Sequence, residues 1–248
     1  MSKKNIIFIM LFAFVLGFTS ANAATITAVK VQGNIPINAD DPFWTRYGPT
    51  FHKHTVVDMD PQMITNPMWP APATKWVNVR AVNNGKEIAV RLSWTDSTRN
   101  DIMVQSQQYK DQAAIMFPVN QSGEEPPFTM GGDGERVNIW QWKAIGGERG
   151  QPGVKDNSSS ELAYQTIEDL NAEGYSTLTD QNQQDIKGGA VWKNNKWRLI
   201  FTRSLTNGNA NDIQFEKSVL MATAIWNGSN KELNGQKGIA GWLLLRMS

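Results

Sequence analysis

The sequence of 248 residues contains no cysteine and only two histidines. Without cysteine, the chain cannot form a disulfide, a thiolate zinc site, a cysteine-ligated iron–sulfur cluster or a covalently attached c-type heme. It also lacks a thiol nucleophile, and two imidazoles offer little general acid or base chemistry. These absences exclude thiol catalysis and thiol redox sensing.

An excess of charge of one sign is also missing, because 24 Lys and Arg face 23 Asp and Glu. A near-neutral chain has no electrostatic basis for binding nucleic acid or an anionic membrane surface. After the first 23 residues, no apolar run reaches the ~20 residues of a membrane-spanning helix. We therefore expect no membrane span in the remaining chain.

The N-terminal residues have the pattern of a secretory signal peptide. A short basic start precedes an apolar run over residues 6–18, and a small-residue cleavage signature ends at Ala23. We expect residues 1–23 to be removed and residues 24–248 to form one domain; an uncleaved N-terminal anchor is the alternative. A secreted chain of this size without disulfides fits a bacterial periplasm.

Alternation of polar and apolar residues predicts strands along most of the remaining chain. Turn signals separate them, and those at residues 83–85 and 193–196 each join two strands into a hairpin. Many short strands with such turns predict an all-β fold, an antiparallel β-sandwich or barrel. The predicted strands cover residues 76–82, 88–94, 113–119, 136–144, 190–192, 197–203, 218–226 and 239–247.

One segment departs from this alternation. Residues 158–172 carry Leu162, Ile167 and Leu170 near helical spacing, after a capping-box pattern. The spacing predicts a short helix within a long polar excursion over residues 146–184. Long excursions between strands are often functional or face a partner, and a decorated surface loop is the alternative.

Two features suggest ligand sites of a general kind. His52 and His54 place two imidazoles on one face of an extended segment, which could seed a metal site or a metal chaperone, but no third ligand is implied nearby. The ten tryptophans either fill the core or provide stacking platforms for a ligand such as a sugar, and core filling explains most of them better.

Met130 is a more specific candidate. It lies in the stretch Pro-Pro-Phe-Thr-Met-Gly-Gly over residues 126–132, which is not an ordinary position for a core strand. Its thioether is a soft ligand that suits heme iron or copper(I). A methionine that fills a gap in the core is the alternative.

Four stretches, taken together and in order, resemble the heme-b γ subunits of periplasmic molybdoenzymes of the dimethyl sulfoxide reductase superfamily. Such subunits occur in ethylbenzene dehydrogenase, dimethyl sulfide dehydrogenase, chlorate reductase, selenate reductase and nitrite oxidoreductase. The resemblance covers roughly residues 44–205. The stretches are IAVRLSWTDST at residues 88–98, KDQAAIMFP at 110–118 leading to PFTMG at 127–131, VNIWQWK at 137–143, and GAVWKNNKWRLIFTRSL at 189–205.

The resemblance implies a β-sandwich that holds one non-covalent heme b with a methionine and a lysine as axial ligands to the iron. The methionine of the family's pattern falls on Met130. Lys187 lies where the opposing ligand is expected, and Lys143 is its rival. Only a neutral amine can coordinate iron, so the true ligand should lie in an apolar pocket that disfavours the ammonium form.

The same resemblance implies electron transfer rather than catalysis, because two protein ligands leave no open position on the iron. Trp140 or Trp142 could pack against the ring, and Arg203 could pair with a propionate. The partners implied are an iron–sulfur β subunit, a catalytic molybdenum α subunit and a soluble periplasmic electron carrier, with the excursion over residues 146–184 as part of a partner surface. A carbohydrate- or ligand-binding β-sandwich module without a redox centre is the alternative.

Overall fold

The computed structural model describes residues 24–46, 54–120, 125–145 and 167–248, which form thirteen β-strands. In this part of the chain, no helix has the length and apolarity to cross a membrane. The strands are β1 (Thr25–Lys30), β2 (Thr55–Asp58), β3 (Asp60–Pro61), β4 (Trp76–Asn83), β5 (Glu87–Thr95), β6 (Gln112–Pro118), β7 (Val137–Lys143), β8 (Ile167–Ala172), β9 (Thr179–Asp180), β10 (Lys187–Trp192), β11 (Lys196–Ser204), β12 (Val219–Trp226) and β13 (Gly238–Met247).

Local sequence explains the two predicted hairpins, and both are confirmed. Between β4 and β5, Gly85 adopts a φ of +83°, and the Asn84 side chain accepts a hydrogen bond from Glu87 N at 2.8 Å. Between β10 and β11, Asn194 and Asn195 both adopt a φ of +55°. Asparagine and glycine tolerate this left-handed region better than other residues, so these turns reverse the chain at low cost.

The strands form one curled sheet in the order β10-β11-β5-β4-β1-β13-β12-β6-β7-β8-β9, with β2 beside β4 and β3 beside β13. The predicted all-β class is confirmed, but the sheet is mixed rather than purely antiparallel. Strand β1 lies between β13 and β4 and runs parallel to both. The long connection between β1 and β4 makes this possible, because parallel neighbours need a crossover rather than a tight turn.

The helix predicted over residues 158–172 is wrong in its described part. Residues Ile167–Ala172 form β8, which pairs with β7 from Ile167 opposite Trp142 to Ala172 opposite Val137. Helical spacing over so few apolar residues is weak evidence, and packing against a neighbouring strand outweighs it. Residues 158–166, like the rest of the excursion up to that point, lie outside the described residues.

Alternation along the strands places apolar clusters on opposite faces of the sheet. The inner core includes the side chains of Trp94, Trp140, Trp142, Trp197 and Phe117. On the other face of β12, β6, β7 and β8 lies a second group, here called the Met130 cluster. Its buried members are Ala114, Met116, Val137, Ile139, Leu170, Ala172, Ala222 and Trp226, and Met130, Ala224 and Trp242 pack against them.

Candidate functional site

Met130 stands in a strained turn between β6 and β7. It has a φ of +77°, a left-handed conformation that is uncommon for a residue other than glycine. Such a conformation persists where the surrounding structure fixes it, and it occurs preferentially at functional sites. The backbone of Met130 is held because its carbonyl accepts a hydrogen bond from Gly174 N at 2.8 Å.

Gly131 fixes the other side of this turn. Its N–H donates to Pro127 O at 2.9 Å, and its φ is +80°. A Cβ at Gly131 would lie 2.3 Å from Glu135 O, so no other residue fits without a backbone shift. The same Cβ position is 3.4 Å from a Val137 methyl group and from Ala172 O, which places the turn at the end of the cluster where β7 begins and β8 ends.

The middle of the cluster is lined by small side chains. Ala222 and Ala224 of β12 pair with Met116 and Ala114 of β6. Trp242 lies at the border, where its indole N–H donates to Pro126 O at 2.7 Å and so joins β13 to the segment that precedes Met130. Small side chains therefore lie between the larger ones on this face.

Lys237 lies at the opposite end of this face. It immediately precedes β13, and the register that pairs Ile225 with Gly238 sets Lys237 opposite Trp226. Its Nζ lies 4.6 Å from the centroid of the Trp226 ring. Within the described residues, the Lys237 side chain has no ion-pair or hydrogen-bond partner. Burial lowers the pKa of Lys237 to about 8, because the charged form is poorly solvated there.

The two ends of the face are separated along the strands. Gln112 pairs with Trp226 at the Lys237 end, and Pro118 pairs with Val137 at the Met130 end. These β6 residues are six positions apart, which corresponds to about 20 Å at ~3.3 Å per residue. A soft thioether and an amine that is easily deprotonated therefore flank one apolar surface.

The candidate ligand Lys143 lies on the same face but is already paired. Its Nζ is 2.6 Å from Glu168 Oε2, and 41% of its side chain is exposed. Coordination to a metal would require Lys143 to leave this contact with Glu168.

The first-choice candidate, Lys187, lies on an edge strand of the sheet. It is exposed, begins β10 and pairs with Thr202. In the strand order, β10 is separated from β12 by β11, β5, β4, β1 and β13. The sheet curls, however, so that β10 approaches β8, and a Cβ at Gly188 would lie 2.9 Å from Ile167 Cδ1. Lys187 as a ligand therefore stays a prediction.

Trp140, Trp142 and Arg203 lie on the inner face of the sheet, opposite Met130. Trp140 is fully buried and Trp142 is 3% exposed, both within the inner core. The guanidinium carbon of Arg203 lies 5.2 Å from the Trp140 ring centroid, and its Nη1 lies 3.4 Å from Asp212 Oδ2. Trp142 instead packs edge-to-face on Trp94 and Trp197. These side chains point away from the Met130 cluster because successive residues of a strand point to opposite faces.

Sequence reasoning missed Lys237. It stands in the polar stretch Asn-Gly-Gln-Lys-Gly at residues 234–238, which resembles an ordinary turn. Its environment arises from the β12–β13 register, which sets it opposite Trp226. The one available signal was a lysine adjoining a predicted apolar strand.

Other predicted features lie apart from this site or outside the described residues. His54 is exposed, and His52 and residues 1–23 are not described. All ten tryptophans fall in the described ranges, and only Trp76 is exposed, at 50%. The tryptophans therefore do not form an exposed stacking platform of the kind used by sugar-binding modules.

The sequence matches the ethylbenzene dehydrogenase family over residues 24–174 and 162–238. The chlorate reductase subunit gamma of Ideonella dechloratans is 30% identical over 178 residues, which cover 70% of this chain and 66% of that protein. The ORF7 protein of Haloferax mediterranei, provisionally named a respiratory nitrate reductase heme subunit, is 29% identical over 168 residues. That alignment covers 67% of this chain and 54% of the relative, so this chain spans about half of one relative and just under two thirds of the other.

Solved structures show a more distant likeness. A family 9 carbohydrate-binding module from Caldicellulosiruptor kristjanssonii, in complex with glucose, aligns with a TM-score of 0.44 and 7% identity over 90% of this chain and 95% of that one. A protein from Bacteroides uniformis, provisionally described as carbohydrate-binding, gives a TM-score of 0.46 and 8% identity over 92% and 100%. A likeness at this level does not extend to the ligands of those proteins.

Proposed function

Because the chain belongs to the ethylbenzene dehydrogenase family, we propose that it is a b-type cytochrome subunit of a molybdoenzyme complex. It relays single electrons between an iron–sulfur subunit and an external electron carrier, and catalysis resides on another chain. The observation that carries this proposal is the pair Met130 and Lys237 at the two ends of one apolar face. The names of its two relatives, a chlorate reductase gamma subunit and a nitrate reductase heme subunit, support heme as the cofactor.

The donor set fits one non-covalent heme b. Heme supplies a redox-active iron that takes up and releases one electron at a time. Met130 offers a thioether and Lys237 an amine. Because the two ends of the face lie about 20 Å apart along the strands, holding one iron with both side chains would require the Met130 turn and the Lys237 segment to move towards each other. Trp226 and Trp242, which belong to the same cluster as Met130, would hold the macrocycle through apolar contacts.

Lys237 is better suited to this role than Lys143 or Lys187. Coordination needs the free amine, and the pKa of about 8 brings deprotonation close to neutral pH. The Trp226 ring packs beside the amine, and no carboxylate of the described chain stabilises its charged form. By contrast, Lys143 has a carboxylate partner and Lys187 is exposed.

The Met130 turn would hold its thioether in place. The left-handed Met130, the constrained Gly131 and the hydrogen bond from Gly174 together fix the direction in which the side chain leaves the backbone. A pre-positioned ligand loses little conformational freedom on binding, which favours a fixed coordination state. Ligands held in place by the chain would suit the one-electron chemistry that heme supplies when bound.

The cellular setting is part of the proposal. The N-terminal signal pattern supports export and cleavage after Ala23, which would place the domain in the periplasm. There its partners would be an iron–sulfur β subunit, a molybdenum α subunit and a soluble carrier. N-terminal sequencing of the protein from its native cell tests the cleavage site directly.

Heme binding is tested by producing the exported protein in cells supplied with heme. We expect a coloured, monomeric protein with a Soret band, one heme per chain and a low-spin spectrum that changes reversibly on reduction. A folded but colourless protein that takes up no heme would overturn the proposal. Capture of the tagged protein from its own cell, followed by mass spectrometry, should recover an iron–sulfur subunit and a molybdenum subunit. If neither subunit is recovered, the proposed electron relay between subunits is contradicted.

A further inference from the structure

Three carboxylates converge where the two edges of the curled sheet meet. Asp169 belongs to β8, Asp185 lies in the segment before β10, and Asp212 lies between β11 and β12. One oxygen from each lies within 4.8 Å of the others. Asp169 and Asp212 are 0% and 2% exposed, and Asp185 is partly buried. The cluster is thus built from three separate stretches of chain.

The nearby cation does not balance this charge. Arg203 Nη1 lies 3.4 Å from Asp212 Oδ2, and both side chains are fully buried. One guanidinium against three carboxylates leaves an excess of two negative charges when all groups are ionised. Buried charges that lack partners are costly, so the cluster has a reason to recruit positive charge.

The hydrogen bonds leave two oxygens without donors. Asp169 Oδ1 accepts from Asn138 Nδ2 at 2.6 Å and from Gln181 Nε2 at 3.0 Å, and Asp185 Oδ2 accepts from Asn207 Nδ2 at 2.9 Å. Asp169 Oδ2 and Asp185 Oδ1 are buried and have no hydrogen-bond partner. Buried carboxylate oxygens are nearly always satisfied in folded proteins, so these two indicate a missing partner.

We propose that Asp169, Asp185 and Asp212 bind one hard divalent cation, with calcium as the best match. All-oxygen ligands favour calcium or magnesium over zinc or copper, and calcium tolerates irregular geometry and a mixture of carboxylate, amide and water ligands. The cation neutralises the excess charge and takes the free oxygens of Asp169 and Asp185. It links β8 to the segments that flank β10 and β11, and so stabilises the contact between the two edges of the curled sheet.

Retention of a proton is the competing explanation. Burial, with added repulsion from Asp212, raises the pKa of Asp169 to about 7, so a proton could remove one charge near neutral pH. The two explanations differ at pH 8, where the proton is largely lost and cation binding strengthens. They differ again for Asp169→Asn, which mimics the protonated acid but removes an anionic ligand.

Chelator-washed protein, titrated with calcium chloride at pH 8, tests the site. We expect the melting temperature to rise with calcium concentration in the micromolar to millimolar range found for calcium sites. Terbium should show tryptophan-sensitised emission that calcium displaces, because Trp140 Nε1 donates to Asn138 Oδ1 at 3.0 Å and Asn138 contacts Asp169. Asp185→Asn and Asp169→Asn should lose both responses, whereas the exposed control Asp180→Asn should keep them.

The proposal is overturned if the wild-type protein shows neither a calcium-dependent melting temperature nor sensitised terbium emission. It is also overturned if Asp185→Asn responds like the wild type, or if Asp169→Asn without calcium matches calcium-saturated wild type and gains nothing from calcium. The last result would assign the cluster to a proton. None of these readouts depends on heme, so the cation site stands or falls separately from the proposed function.

Discussion

The Nζ atom of Lys237 lies 4.6 Å from the centroid of the Trp226 ring, on the sheet face that also carries Met130. The contact is one that an ammonium makes with an aromatic ring, but burial opposes the charge and lowers the pKa of Lys237 to about 8. In the heme-free protein, this lysine is therefore a source of instability. A group kept at a cost to folding is a functional candidate.

Lys237→Met should stabilise the heme-free protein by about 1–3 kcal/mol at pH 7, because it removes a poorly solvated charge and keeps the apolar stem. The folded-state pKa is below the ordinary 10.5. The buried ammonium therefore destabilises the folded protein fully below about pH 8, and this destabilisation decreases as pH rises towards 10.5. The gain in stability of Lys237→Met over the wild type should decrease over the same pH range.

Urea unfolding at pH 7 and pH 10 measures this difference in stability, and the exposed control Lys75→Met should change little. A Lys237→Met protein less stable than wild type at pH 7 would contradict this account.

Gly131→Ala and Gly134→Ala form a matched pair in the turn that carries Met130. Both glycines have left-handed φ values, +80° and +73°, but a Cβ at Gly131 would lie 2.3 Å from Glu135 O while nothing lies within 4 Å at Gly134. We expect Gly134→Ala to cost about 1 kcal/mol from backbone strain, and Gly131→Ala about 2–4 kcal/mol. Chemical denaturation compares them, and equal losses would show that the turn accommodates the added methyl group.

Stability should also respond to Asp111, which precedes β6. Burial and the nearby Asp96 carboxylate raise the pKa of Asp111 to about 7, although Gly228 N, Asn100 N and Trp197 Nε1 all donate hydrogen bonds to it. Because the pKa of Asp111 is higher in the folded than in the unfolded state, its contribution to the free energy of unfolding is most favourable below about pH 4. That contribution becomes less favourable as pH rises towards 7.

Asp96→Asn removes the neighbouring charge, so it should stabilise the protein by about 1 kcal/mol at pH 8 and little at pH 4.5. The Thr98 N–H and hydroxyl groups that donate to Asp96 Oδ1 can donate equally to an amide oxygen. Unfolding free energies across this pH range test the effect, with exposed Asp60→Asn as the control. An equal effect of Asp96→Asn at both pH values would rule out the charge repulsion.

Much of the fold follows from local sequence. The hairpins β4–β5 and β10–β11 combine strict alternation with Asn and Gly turns, so residues within each hairpin determine it. Strand β1 could not be foreseen, because its parallel partners β13 and β4 are distant in sequence. Strand β8 was mistaken for a helix because its stability comes from pairing with β7. The periodicity of a segment does not indicate which distant strand it pairs with.

The candidate site shows the same contrast between features set by local sequence and features set by distant pairing. Met130 was proposed from the Pro and Gly residues that flank it locally, and its left-handed φ fits that unusual setting. Lys237 was not proposed, since its position beside Trp226 depends on the β12–β13 register. Trp140 or Trp142 was expected to pack against the ring; the pleat of β7 directs both to the inner core, and their contact with heme stays a prediction.

Carbon monoxide binding should show whether one or two protein side chains coordinate the heme iron. Ferrous heme in the wild-type protein should bind carbon monoxide weakly or slowly, because both axial positions are taken. Met130→Ala should open one position and bind it readily, with a large Soret shift. Met116→Ala, in the same cluster, is the matched control and should behave like the wild type. Rapid carbon monoxide binding by the wild type would mean that one axial position is open.

Side-by-side visible spectra of heme-loaded Lys237→Ala, Lys187→Ala and Lys143→Ala test the central claim most directly. We predict that the Lys187 and Lys143 variants keep the low-spin spectrum of the wild type, whereas Lys237→Ala becomes high-spin. An unchanged low-spin spectrum for Lys237→Ala, together with a high-spin spectrum for either other variant, would contradict the account.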